Sequence, residues 1–359
     1  MKKFRRLFLN SPIQVTLGIT NSCNLKCIHC RANASSKSSK ELKIEEIKNI
    51  LKCLSDMKVL YLEISGGEPL IRKDFFEIVK FANENNLEVI TSTNGMLIDK
   101  EVARKIKESG IKKIQVSLDG AINKTHDYFR GVKGSFEKAI NAIKNLVSEN
   151  VYVVVSTILN KNNVNEIEKI INIVTDLGAK QWRGLVLLPC GRGRDIFNRL
   201  KLSFKELNKI NLLCKKKKME FGEKILLEVE KCFNLGERIP LNNLKYDLGE
   251  ASCFGCGAGI SEIYIDHKGN IYPCSKMVDV KFLIGNIRKD SLKKLWKSSL
   301  ILEKFRDVEK NIKGKCIQCK LNIYCKGGCK AVSWSLLGDE FSPDPRCPFN
   351  KKQNPELLG

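Results

Sequence analysis

Nowhere in this 359-residue chain does an apolar run approach the roughly 20 residues a bilayer span needs, so no membrane helix is expected. A secretory core is missing too: the basic stretch Met1–Arg6 is followed only by Leu7-Phe8-Leu9 before Asn10-Ser11-Pro12. Without an export signal a cytoplasmic location is expected, where disulfide staples are rare. The 15 cysteines therefore point to metal binding rather than cross-links. Acidic residues are in deficit, 40 against 63 Lys and Arg, for a formal charge of +23. The excess is spread along the chain. Its one dense run, Lys215–Lys218, reads as a solvated helix face, so no nucleic-acid partner is expected. At 43% hydrophobic the composition is that of an ordinary globular protein, long enough for two or three domains.

A fourth ligand is also missing, at the most informative place. Cys23, Cys27 and Cys30 stand at C-x3-C-x2-C spacing just after the alternating segment Ile13–Ile19. Three soft thiolates on one loop suit an iron–sulfur cluster. A structural zinc site would want another Cys or His, and His29 has a spacing that fits neither standard pair. Spacing alone leaves cluster, zinc and buried structural cysteines open. A 4Fe–4S cluster on three thiolates would keep one iron free for another ligand.

From Ile13 to about Val186 strand and helix patterns alternate. Strands are expected at 13–19, 59–64, 87–92, 111–118, 151–156 and 181–188, and helices at 41–54, 75–82, 101–108, 136–147 and 167–174. Six strands with intervening helices imply a parallel α/β sheet, either open and doubly wound or a partial barrel. Both place ligands at the carboxyl ends of the strands, where the cysteine loop falls. Phe204 to Cys214 reads as a helix, and Ile225 to Val229 is apolar.

The loop resembles the C-x3-C-x2-C signature of the radical S-adenosylmethionine (radical SAM) enzymes. That resemblance implies a partial (β/α)6 TIM-like barrel. It implies a free iron that chelates S-adenosylmethionine, which is reductively cleaved to a 5′-deoxyadenosyl radical that abstracts hydrogen from substrate. Gly66-Gly67-Glu68-Pro69 is similar to the family's Gly-Gly-Glu-Pro motif, which receives the cofactor's amino group. Thr93 and Asn94, and Ser117 and Asp119, match strand-end positions near the cofactor, and Ser156 and Thr157, ending the fifth strand, are candidates for hydrogen bonds to its ribose or carboxylate. Arg130 either meets the cofactor carboxylate, since Arg forks onto carboxylates, or pairs with Asp127. The turn Gly191-Arg192-Gly193-Arg194 suggests either an anionic substrate group or solvated arginines. Cys190, beside it, is assigned no role, and no catalytic acid or base is singled out.

The C-terminal third carries Cys253, Cys256, Cys274, Cys316, Cys319, Cys325, Cys329 and Cys347. A hairpin turning on Lys268-Gly269-Asn270 is expected to bring Cys256 and Cys274 together. Cysteine pairs of this kind also suit zinc. With the first motif in hand, the array resembles the SPASM domain, C-x9-15-G-x4-C followed by C-x2-C-x5-C-x3-C and a last C. That resemblance gives one auxiliary cluster to Cys256, Cys274, Cys329 and Cys253, and a second to Cys316, Cys319, Cys325 and Cys347. Cofactors are thus three 4Fe–4S clusters and S-adenosylmethionine. The expected organisation is an extension 1–12, the barrel 13–200, a bridge 201–249, the SPASM domain 250–350 and a tail 351–359.

The function implied is a radical SAM/SPASM oxidoreductase acting on a ribosomal peptide or protein side chain, a maturase. The alternative is a tetrapyrrole substrate of the heme or heme d1 pathway, modified at its propionates. An alternative of another class is a non-catalytic zinc or iron–sulfur binding protein. A reducing partner such as flavodoxin or ferredoxin is expected. Because the chain starts almost at the first strand, a separate peptide-recognition protein is a further candidate partner.

Overall fold

The computed structural model describes residues 9–230 and 255–347. The first strand, β1 (Gln14–Thr20), lies mid-sheet and is buried along most of its length. Helix α1 (Ile44–Asp56) follows. Glu46 starts it by accepting a 2.7 Å hydrogen bond from Lys43 N, and Ile47, Ile50, Leu51 and Leu54 form its buried stripe. The alternation continues through β2 (Tyr61–Gly66), α2 (Phe75–Glu84), β3 (Glu88–Thr93), α3 (Lys100–Glu108) and β4 (Lys113–Ser117). Then come α4 (Asn123–Arg130), α5 (Ser135–Ser148), β5 (Val153–Leu159), α6 (Ile167–Asp176), β6 (Gln181–Val186), α7 (Gly193–Leu200) and α8 (Phe204–Phe221). Strands β1 to β6 pair in parallel, each with the next. Their apolar side chains meet those of the helices in one continuous core.

The expected open (β/α) barrel is present, with additions at both edges. The segment read as a bridge supplies a further parallel strand, β7 (Leu226–Val229), paired to β6 from Gln181↔Leu226 onward. At the other edge β8 (Glu262–Ile265) lies parallel to β1, Gln14 opposite Glu262. The hairpin β8–β9 (Asn270–Tyr272) turns where expected, and β10 (Gly285–Asn286) completes the sheet. Ten strands thus run in the order β10-β9-β8-β1-β2-β3-β4-β5-β6-β7. The C-terminal cysteine region is built onto the barrel's own sheet.

Two helices go beyond the pattern: α4 lies between the fourth strand and α5, where no helix is expected, and α7 begins inside the Gly-Arg-Gly-Arg turn. The lysine run lies on α8, but Lys217 is buried and pairs with Glu168 at 3.1 Å and Glu220 at 3.0 Å. A solvated face describes only its three neighbours. Cys214 on α8 lies in the core, and Cys53 on α1, half-buried, packs against it. Among the described residues no helix is long and apolar enough to cross a membrane.

Candidate active site

The cysteine loop leaves the carboxyl end of β1 and is held from three sides. Cys23 N donates to Ser35 O at 2.7 Å, closing the loop on itself. From β2, Gly67 N and Glu68 N donate to Thr20 O and Ser22 O, each at 2.8 Å. This contact explains the paired glycines: a Cβ on Gly66 would lie 2.0 Å from Thr20 O, and one on Gly67 2.1 Å from Ser22 O. Gly66 also has φ +133°, a region that side chains avoid. The close approach that the glycines permit is to the chain's own loop. From the far side Arg192 donates through Nε to Cys27 O at 2.9 Å and through Nη1 to Ala34 O at 2.8 Å. This guanidinium is a clamp on the loop, neither an anion receptor nor a solvated group.

Each of the three sulfurs meets a donor. Leu25 N points at Cys23 Sγ (3.4 Å), Ala34 N at Cys30 Sγ (3.4 Å) and Arg130 Nη1 at Cys27 Sγ (3.8 Å). Burial pushes the Cys23 thiol up to about 11 and raises Cys27 as well, against the pull of Arg130. Donors to sulfur favour the thiolate that a metal requires, so ligation would release protons held by burial. This is a soft, three-thiolate donor set, and it fits an iron–sulfur cluster.

The sulfurs open onto a cavity of about 550 Å³ at the carboxyl ends of the strands. Gly66, Gly67, Glu68, Thr93 and Asn94 line it, as do Ser117, Arg130 and Ser156. Pro69 and Asp119 do not. Pro69 opens the short turn after Glu68, and Asp119 sits fully buried behind Arg130, Oδ2 to Nη2 2.5 Å. Asp119 also accepts from Ile158 N at 2.6 Å, so the strand end fixes the carboxylate and the carboxylate fixes the arginine. Asp127 is not the partner of Arg130: it accepts from Gly134 N, Ser135 Oγ and Phe136 N at the start of α5. Thr157 likewise turns into the core, donating to Leu118 O at 2.7 Å and accepting from Trp182 Nε1 at 3.0 Å.

Glu68 is the buried carboxylate facing this space. It accepts from Thr93 Oγ1 (2.8 Å), Asn94 N (2.7 Å) and Leu70 N (3.3 Å), yet burial pushes its pKa up to about 7. Arg130 Nε is buried with no hydrogen-bond partner. A buried acid short of cations and a guanidinium short of an acceptor, on one cavity, complement a ligand that carries both an ammonium and a carboxylate. The cavity wall beyond them carries Glu63, Arg183, Glu230, Glu262 and Lys276, which sequence patterns did not single out. Strand alternation places Glu63 and Arg183 inward, but β8 had to be known as a neighbour of β1 before Glu262 could be placed.

The C-terminal cysteines form two sets. Cys256, Cys274 and Cys329 are mutual neighbours: burial pushes Cys256 up to about 11 and Cys274 further, and the other sulfurs of the set add to both. Cys316, Cys319, Cys325 and Cys347 form the second, with burial again pushing Cys316 and Cys325 to about 11. Cys253 lies outside the described residues. Between the sets stands Lys330, fully buried, which donates to Lys326 O at 2.6 Å and faces Cys256, Cys316, Cys325 and Cys329. Asp344 joins them from the other side, accepting from Cys329 N at 3.0 Å while Cys347 N donates to its carbonyl at 2.9 Å. Among the described residues no three His, Cys, Asp or Glu side chains converge at single-ion range.

Comparison with known proteins gives matches along nearly the whole chain. The Radical SAM superfamily model matches residues 17–174, and that of SPASM, an iron-sulfur cluster-binding domain, matches residues 256–320. An AdoMet-dependent heme synthase of Methanosarcina barkeri is 32% identical over 349 residues, covering 95% of this chain and 97% of that protein. The mycofactocin maturase MftC of Mycolicibacterium smegmatis is 32% identical over 343 residues, covering 94% and 83%. Among solved structures, Streptococcus suis SuiB bound to S-adenosylmethionine superposes with a TM-score of 0.80 at 19% identity, over 95% of this chain and 78% of SuiB. Native anSMEcpe with bound AdoMet gives 0.72 at 20% identity, over 97% and 96%. These two show the fold.

Proposed function

The chain is an enzyme of the radical SAM superfamily with a SPASM iron–sulfur domain, and from that premise we propose that it is a maturase acting on a peptide or protein side chain. When bound, a 4Fe–4S cluster and S-adenosylmethionine supply one-electron cleavage of the sulfonium and a hydrogen-abstracting carbon radical. The chain's own residues bind and aim. Cys23, Cys27 and Cys30 hold the cluster. Glu68 would receive the cofactor's amino group, with Thr93 and Asn94 fixing the Glu68 carboxylate. Arg130, braced by Asp119, would offer Nε to the cofactor's carboxylate. Ser117 and Ser156 offer hydroxyls from neighbouring strand ends, and Gly66, Gly67 and Pro69 hold β2 against the loop. Cys256, Cys274 and Cys329, with a fourth ligand, and Cys316, Cys319, Cys325 and Cys347 hold two further clusters. About 12 irons per chain are therefore expected. Flavodoxin or ferredoxin is the kind of reductant that would serve, and a separate protein would present the peptide.

The observation that carries this reading is the space itself. The cofactor must share about 550 Å³ with the reacting group, and the remaining wall bears Glu63, Arg183 and Glu262. A small polar recess suits one side chain of a presented segment better than a whole macrocycle. A second reading, oxidation of tetrapyrrole propionates, has its own support: Arg31 and Lys276 stand at the mouth, lining both the main cavity and a smaller adjoining one. Similarity to the heme synthase points the same way. Mass spectrometry after anaerobic turnover with S-adenosylmethionine and reductant decides between them. Hydrogen loss or a new cross-link on a co-expressed small peptide supports the maturase. Loss of carbon dioxide from an iron coproporphyrin, with peptides untouched, overturns it.

A further inference from the structure

Cys190 follows β6 and begins the turn that ends in α7. It is 5% exposed and shares one apolar core with Cys274, against which Cys256 and Cys329 pack. Tyr264, Tyr272, Met277, Phe282 and Ala331 are among that core's other members. Four cysteines from three separate parts of the chain thus belong to or pack against one core, and Cys190 also lines the smaller cavity with Arg31 and Lys276. Of the four cysteines, only Cys190 comes from the barrel.

The turn that carries Cys190 is pinned. Arg192 N donates to Cys30 O at 3.0 Å, and a Cβ on Gly191, which has φ +55°, would lie 2.4 Å from both Cys30 O and Arg31 O. The position of Cys190 is thus set by contact with the cysteine loop rather than by packing chance. On its other side Ser335, on the helix Lys330–Leu337 that follows Cys329, hydrogen-bonds to its sulfur. The Cys329 sulfur is a neighbour of Cys190, with Arg31 and Lys276 also nearby.

We infer that Cys190 is the fourth ligand of the auxiliary cluster held by Cys256, Cys274 and Cys329. The thiol gives up its proton, its sulfur donates an electron pair to one iron, and no electron changes hands. The cluster is then bonded to both halves of the molecule. Its route to the first cluster's loop is short: Cys190, Gly191, Arg192, and the hydrogen bond to Cys30 O. The inference rests on reading the C-terminal array as iron–sulfur, and leaves Cys253 without a ligand role.

The test uses the full chain with Cys23, Cys27 and Cys30 replaced by Ala, so that only auxiliary iron remains, about 8 atoms per chain. Into it go Cys190→Ser, Cys190→Ala and, separately, Cys253→Ser. Iron and sulfide content, Mössbauer and electron paramagnetic resonance spectra are compared. The expected result is a changed signal from one auxiliary cluster with Cys190→Ser, loss of about one iron with Cys190→Ala, and an unaltered spectrum with Cys253→Ser. In the otherwise unmodified enzyme Ser335→Ala, which removes a hydrogen bond to a ligand sulfur, should lower the potential of that same cluster without losing iron. Unchanged spectra for both Cys190 variants, an unmoved potential for Ser335→Ala, or the loss appearing with Cys253→Ser instead, overturns the inference. Absence of auxiliary iron from the parent protein would instead overturn the iron–sulfur reading beneath it.

Discussion

Two groups of cysteines on one chain use the same ligand atom for different ends. The N-terminal loop faces an open cavity ringed by Glu68, Arg130 and other polar strand ends. In the C-terminal array Cys256, Cys274 and Cys329 are packed among aromatic and aliphatic side chains, with Lys330, Asp344 and Arg346 buried nearby. Sulfur donates similarly in both places. What differs is whatever stands opposite the sulfur: a space shaped for a zwitterion in one case, more protein in the other. Open coordination is a property of the surroundings as much as of the ligand count.

The sharpest way to separate the two groups is to remove one. Replacing Cys23, Cys27 and Cys30 together by Ala should abolish 5′-deoxyadenosine formation while auxiliary iron stays near 8 atoms per chain. Chromatography and iron analysis read both; loss of all iron would mean that the groups fold as one unit. Next comes the buried ion pair behind the open site. Arg130→Met strands Asp119 and should cost about 3–5 kcal/mol in chemical denaturation, most of it recovered by adding Asp119→Asn.

The pH response of the open site is the third contrast. Glu68 has a folded pKa raised to about 7, so the free enzyme loses stability as pH rises from the ordinary carboxylate range through 7. Hydrogen bonds from the bound cofactor's amino group favour the ionised form. S-adenosylmethionine affinity should therefore rise as pH climbs to about 7 and level off above it. Glu68→Gln should remove that dependence and cost about 1.5–3 kcal/mol of binding, read by calorimetry. Gly67→Ala, which drives a methyl into Ser22 O, should cost about 1–3 kcal/mol and lower iron in the first cluster alone. The smallest effect is expected at the seam between the regions. Arg288 from the C-terminal part forks onto Glu46 at 2.5 and 3.0 Å, but at a partly exposed surface. Arg288→Ala should change stability by about 1 kcal/mol or less and leave iron and activity intact.

The barrel was legible because parallel strands buried on both faces write continuous apolar runs, as at 151–156, and their helices write a clear stripe. The short β7 was not, since four residues with Glu228 among them carry little period. The cysteines announced themselves by spacing. Their supports did not. Asp127 sits three residues before Arg130 and looks like its partner, yet the backbone of α5 claims it and Asp119, eleven residues away, takes its place. Arg192 reads as a free cation beside glycines, and only the fold turns it onto Cys27 O. Pairings set by tertiary contact leave no mark in local pattern.

The strand that launches the cysteine loop has β2 on one side and β8 on the other, and β8 begins with a residue 248 positions after its partner Gln14. A ribosome delivers that partner 248 residues after Gln14. Until then β1 carries an unpaired edge, open to wrong strands, beside thiols that attract oxidants and stray metals. Such a long-range pairing is slow to close. Of the strands β1 to β6, β1 is therefore the last to gain both of its neighbours.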